Sequence, residues 1–230
     1  MKKSLYQAIA LSTGLLMSAT AFAEVTGNIG ATSNYLWRGV SQTGDSVAVQ
    51  GGVDYENESG FYAGTWASNV DFGDGTSYEL DLYAGYGGSI TEDLSYDINY
   101  LYYAYPDSPG SVDFGEVSVG LAWKWLDVSY SHTVNGGDDI ASGTLDSKDM
   151  MYAQANLTFP LTEKLSLGIH YGYSDGDIIT SWFGTDSYSE YNVSLSTDTD
   201  FGTISFMASD TDLDDDDAKI VLGYSYSFGL

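Results

Sequence analysis

The sequence predicts an all-β fold: a transmembrane, antiparallel, up-and-down β-barrel of about 12 strands, with short periplasmic turns and longer, acidic extracellular loops. Three observations predict it. After Ala23, stretches of roughly ten residues place apolar side chains at alternate positions, and a period of two gives every strand one apolar and one polar face. Connections alternate between tight and long, as they do in outer-membrane barrels. An export leader precedes all of this.

In that leader, Met1-Lys2-Lys3 supplies the positive start, Ile9 to Met17 the apolar stretch, and Ala21-Phe22-Ala23 the small-x-small cleavage signal. Residues 1–23 are therefore expected to be a signal peptide cut between Ala23 and Glu24. The apolar stretch is too short to span a bilayer, and no stop-transfer charges follow it. Residues 24–230 are the right length for one barrel domain.

All 33 acidic residues follow the leader, but only five basic ones do, so the mature chain carries a formal charge of −28. Nucleic acid and anionic lipid surfaces are poor partners for such a chain. With no cysteine, neither a disulfide framework nor a thiolate metal site is possible.

The pattern places strands at 24–35, 46–56, 60–70, 77–88, 93–104, 113–123, 125–133, 149–159, 164–174, 188–197, 201–209 and 218–230. Asn57 to Ser59, Ser89 to Glu92, Lys124, Pro160 to Glu163 and Thr197 to Asp200 are the tight turns. An even strand count returns both termini to the periplasmic side. Pro106, Pro109 and Pro160 all fall in connections, leaving strand interiors free to donate ladder hydrogen bonds.

The predicted lipid face runs through Val47, Val49 and Val53; Leu80, Leu82 and Ala84; Ile98 and Tyr100; Val117, Val119 and Leu121; Val128 and Tyr130; Ile169; Val193 and Leu195; Ile204 and Phe206; Ile220, Leu222 and Tyr224. It carries no charge. The stretch from Phe61 to Val70 does not alternate cleanly, so its facing stays open. Tyr and Trp crowd toward strand ends, with Trp123 and Trp125 around a tight turn and Trp37 beside the first loop, as in interfacial girdles. Tyr226 and Phe228, alternating near the C-terminus, look like the signal read by the outer-membrane assembly machinery, although Val221 and the final Leu230 depart from it.

The blocks Thr26 to Thr43, with Tyr35-Leu36-Trp37-Arg38-Gly39-Val40 at their centre, Gly60 to Gly73 and Tyr78 to Tyr86 resemble the TorF family of porin-like proteins from Gram-negative bacteria. The resemblance implies an integral outer-membrane barrel and a pore. It transfers no catalytic or binding residue, because function has to be argued from a site.

On the polar face, Asp54, Glu79, Asp81, Asp97, Glu116, Asp127, Glu190 and Lys219 are candidate pore-lining residues, seven carboxylates against one lysine. Charges in a dry interior must be paired, and this set cannot pair itself even if Arg38 folds inward, so a wet or cation-holding lumen is expected. Twelve strands imply a narrow pore. Tyr83, Tyr103 and Tyr152, or the long loop from Val134 to Asp149, are its candidate constriction.

The acidic run Asp212, Asp214, Asp215, Asp216 and Asp217 offers oxygen ligands to divalent cations, but no EF-hand pattern accompanies it. A solvated charge run is the ordinary reading. An enzyme is not expected: His132 faces lipid with Met151, Ala153 and Val117 beside it rather than a serine, and no Gly-x-Ser-x-Gly elbow, zinc motif or phosphate loop occurs. No cofactor is implied. The expected function is a narrow, cation-preferring outer-membrane channel for small hydrophilic solutes, in contact with outer-membrane lipid and lipopolysaccharide. The alternative is a non-conducting barrel with a structural, adhesive or surface-binding role through its acidic loops.

Overall fold

The computed structural model describes residues 24–141, 148–214 and 216–230. The expected signal peptide, part of the loop from Val134 to Asp149, and Asp215 lie outside the described residues.

Twelve strands close into one barrel. They are β1 (Glu24–Thr32), β4 (Ala48–Glu56), β5 (Phe61–Asn69), β6 (Tyr78–Ser89), β7 (Leu94–Ala104), β8 (Phe114–Trp123), β9 (Leu126–Gly136), β10 (Met151–Pro160), β11 (Leu165–Asp175), β12 (Ser187–Thr199), β13 (Gly202–Thr211) and β14 (Lys219–Gly229). Two short pieces, β2 (Leu36–Trp37) and β3 (Val40–Ser41), pair inside the first long loop, and one helix, α1 (Asp177–Phe183), sits between β11 and β12. Each barrel strand pairs antiparallel with its chain neighbours, and β14 returns to β1 with Thr26 opposite Gly229. Every sequence-predicted strand is present, and no end is displaced by more than three residues.

The wall is inverted relative to a soluble core. Val47, Val49, Leu82, Ile98, Val119, Leu121, Val193, Ile220 and Leu222 are exposed on its outside, where only an apolar medium makes such a surface acceptable. No helix among the described residues is long and apolar enough to cross a membrane; the crossing is made by strands. On β5, Phe61 points outward, while Tyr62 and Trp66 point into the barrel, against Asp97 and Tyr35. Trp123, Trp125 and Phe159 cluster at the periplasmic end with centroids 5.9 Å apart, as a girdle requires. Trp37 does not join a girdle. It is drawn into the mouth of the barrel, edge-on to Tyr103, Phe114 and Trp182.

Candidate functional site: an acidic lumen closed by an arginine hairpin

The loop of residues 33–47 turns inward instead of standing in solvent. Its β2–β3 hairpin has Arg38 (φ 48) and Gly39 (φ 82) at the tip, the pair of positive angles that defines a tight type I′ turn. A Cβ on Gly39 would stand 2.6 Å from Thr211 Cγ2 and 2.9 Å from Glu190 Cβ, so the tip presses against β12 and β13. The Tyr188 hydroxyl donates to the Arg38 carbonyl at 3.0 Å and fixes it there.

From that tip the Arg38 guanidinium lies 4.2 Å from the ring centroids of both Trp37 and Tyr152. Its Nη2 donates to both oxygens of Glu116, at 2.8 and 2.7 Å. Their side chains are only 6 % and 2 % exposed. A planar, weakly hydrated cation suits such a desolvated slot between rings.

Two other outer-half carboxylates, Glu79 and Glu190, are satisfied by phenols. Glu79 accepts from Tyr35 and Tyr105, both at 2.7 Å. Glu190 accepts from Tyr152 at 2.5 Å, with His170 Nε2 3.4 Å away. A Cβ on Gly172 would collide with Tyr152, so glycine there lets the ring lie along the wall. His170 Nδ1 stands 2.6 Å from Asn156 Oδ1, and Asn156 Nδ2 donates to Asp127 at 3.1 Å. Asp81 is buried with Oδ1 unpartnered.

Above this layer an apolar cap closes the mouth. Tyr103, Phe114, Ile140, Met150, Ile178, Ile179 and Tyr188 are buried together, with Trp37 packed on them. Tyr103 stacks on Phe114 at 4.4 Å, and Trp182 Nε1 donates to the Ile140 carbonyl at 2.7 Å. Loop and helix residues thus pack on strand ends to form a small core inside the barrel end.

The periplasmic half is more open. Asp54, Asp97 and Asp127 are half-buried there. Tyr62 and Asn99 donate to Asp97, at 2.8 and 2.7 Å; Asn28 and Tyr83 donate to Asp54. Ser225 and Ser227, between the outward Tyr224, Tyr226 and Phe228, are exposed on the inner face.

All seven candidate carboxylates therefore line the interior, but in two layers of different character. Against the expectation of a wet or cation-holding lumen, the outer layer is closed, and tyrosine hydroxyls and Arg38 supply Glu79, Glu116 and Glu190 with donors that a count of charges omits. Of the candidate constriction, Tyr103 and Tyr152 belong to the closed layer, Tyr83 to the open one. The Val134 to Asp149 loop contributes Ile140 to the cap. Lys219 turns to Asp216, with which it forms an ion pair, and to the Asp217 carbonyl at 3.1 Å.

In the acidic run, Asp212 accepts from the Ser189 amide at 2.6 Å, and Asp216 accepts from Thr211 at 2.7 Å. Among the described residues no three acidic or histidine side chains gather into a metal site. His132 stacks near Tyr130 on the outer wall, and neither histidine bonds to a serine among the described contacts.

Sequence reasoning missed the hairpin plug and α1. The signal for the first was present: Arg38 is the one arginine of a strongly acidic chain, and it is followed by glycine.

A family model described as "Bacterial protein of unknown function (Gcw_chp)" matches residues 17–226. The chain belongs to the Gcw_chp family. No curated protein matches it. Among solved structures, the Gcw_chp barrel is similar to the KdgM porin, at TM-score 0.60 and 12 % identity over 88 % of this chain and 99 % of that one. It is similar to the NanC porin at 0.59 and 12 %, over 90 % and 100 %. An outer membrane channel from Pseudomonas putida F1 aligns at 0.58 and 12 %, over 95 % and 100 %. At these identities the likeness is one of fold: a closed twelve-stranded barrel of the kind those porins use.

Proposed function

We propose that this Gcw_chp protein is an integral outer-membrane channel of the porin type, exported by a cleaved signal peptide, that passes small hydrophilic solutes and prefers cations. One observation carries the reading: seven carboxylates point into the barrel, and Arg38 is the one arginine or lysine among the described residues that is held with them. Acidic walls favour cations over anions. The porin folds it resembles and the apolar outer wall support the location. The TorF-like sequence blocks belong to the same proposal. So do contact with lipopolysaccharide and recognition of the last strand by the assembly machinery.

In this conformation the open periplasmic half leads to a closed outer layer, so conduction requires the Arg38 hairpin to shift or a narrow path to pass it. Recording from refolded protein in planar bilayers tests this. Cation-selective steps that lose selectivity when Asp54, Asp97 and Asp127 are changed to Asn support it; silence or anion preference contradicts it. The buried cap around Phe114 and Ile178 favours a second reading, a non-conducting barrel whose loops do the work, and permanent silence would select that one.

A further inference from the structure

Arg38 occupies a slot that the barrel wall builds without it. Glu116 on β8 and the Tyr152 ring on β10 form the wall side; the ring is held by the bond from its hydroxyl to Glu190, and the Tyr103 hydroxyl stands 3.5 Å from Glu116. The Arg38 head fills the space between them, in contact with the carboxylate and over the ring, so the wall fits a guanidinium by direct occupation. The tether fits less well. Arg38 has a φ of 48°, in the left-handed region that few side chains adopt. Its Nη2 alone serves both Glu116 oxygens, in place of the parallel two-nitrogen fork that a guanidinium and a carboxylate prefer. Nη1 is buried with no hydrogen-bond partner.

A guanidinium free of the hairpin can turn and offer two nitrogens to Glu116, and it carries no strained backbone with it. We propose that this slot is a recognition site for solutes bearing a guanidinium group, and that Arg38 is its built-in occupant, displaced when such a solute binds Glu116. Displacement frees the β2–β3 tip from β12 and β13 and opens the outer layer. The space needed is the space that Arg38 vacates, and the withdrawing loop leaves it facing the outer side. An ammonium ion lacks the planar fork and holds its water more strongly, so it competes poorly. The inference rests on the channel reading above and names the class of solute that opens it.

The probe is ethylguanidinium chloride, the Arg38 head on a short stem, compared with ethylammonium chloride at the same millimolar concentration. In the refolded mature Arg38→Ala barrel, ethylguanidinium is expected to raise the Tm by about 2–4 °C over ethylammonium. Adding Glu116→Gln should abolish the difference. In wild type, where Arg38 must first leave, ethylguanidinium should speed protease cleavage between Tyr35 and Gln42 about fivefold, as the open population grows. Absence of the Tm shift means that the slot accepts Arg38 only as part of the hairpin, and absence of faster cleavage means that solute does not compete with it; either result overturns the proposal. So does an equal response to ethylammonium, or one that persists with Glu116→Gln. Should Arg38→Ala not fold, cleavage of the wild type decides. Both responses in a barrel that stays silent in bilayers would remove the channel reading and leave the site; cation-selective conductance without either response would do the reverse.

Discussion

Arg38 and Glu116, 78 positions apart in sequence, meet inside the barrel with Arg38 Nη2 2.8 and 2.7 Å from the two carboxylate oxygens. One ion pair thereby holds an extracellular loop against the opposite wall and divides the interior into a closed outer and an open inner layer.

Removing one partner of such a pair leaves the other buried and unmatched, at a cost of about 3–5 kcal/mol. Arg38→Met and Glu116→Gln should each lower stability by about that amount in denaturant unfolding of the folded barrel. The double variant Arg38→Met with Glu116→Leu should recover much of the loss, because no charge is then stranded. Equal stability of the single variants and wild type would show that the pair is not desolvated as described.

Gly39→Ala strains the chain twice, by a φ of 82° and by a Cβ 2.6 Å from Thr211 Cγ2. Backbone strain of this kind costs about 1–3 kcal/mol. The tip should withdraw from β12 and β13, and proteolysis between Tyr35 and Gln42 in intact cells should rise. Unchanged resistance would place the tip elsewhere.

Adjacent residues on β8 should respond oppositely to lysine. Val119 is 47 % exposed on the outer wall, and a lysine at mid-bilayer costs about 2–4 kcal/mol. Gly120 faces inward with only ordinary contacts around an added Cβ, the nearest 3.7 Å away, and Asp97 close by. Val119→Lys should therefore reduce folding into lipid vesicles far more than Gly120→Lys. Equal yields would contradict the assigned faces.

At the extracellular rim, the Ser77 hydroxyl and amide donate to Asp107 at 2.5 and 3.1 Å, and they hold its carboxyl below the ordinary value of 3.8. A depressed folded value means that the contribution is present above 3.8 and is lost as pH falls through the lower folded one. The link between residues 70–77 and 105–113 should therefore persist at pH 5 and open on acidification below 3.8. Hydrogen exchange at the Ser77 amide should accelerate there, and Ser77→Ala should move the transition upward. An exchange rate flat through that window would contradict the bond.

The wall was legible in the sequence because one periodicity decides both strand and facing: Val117, Val119 and Leu121 can all meet lipid in only one register. β5 was not, since Trp66 faces inward and small residues such as Ala63 and Ala67 face out, which blurs the alternation. The inward identity of Glu79, Asp81 and Glu116 followed from parity. Their burial did not, because it depends on a loop more than 30 positions away in sequence and on hydroxyl donors such as Tyr35 and Tyr105, which no period marks. Helix α1 has seven residues, too few to announce themselves by a helical repeat.

The reversal potential of refolded protein in a potassium chloride gradient tests the central claim most directly. The account predicts small steps reversing toward the potassium equilibrium potential, with larger steps of the same sign of selectivity in Arg38→Met. A reversal toward chloride, or wild-type and Arg38→Met barrels that stay equally silent, would contradict it.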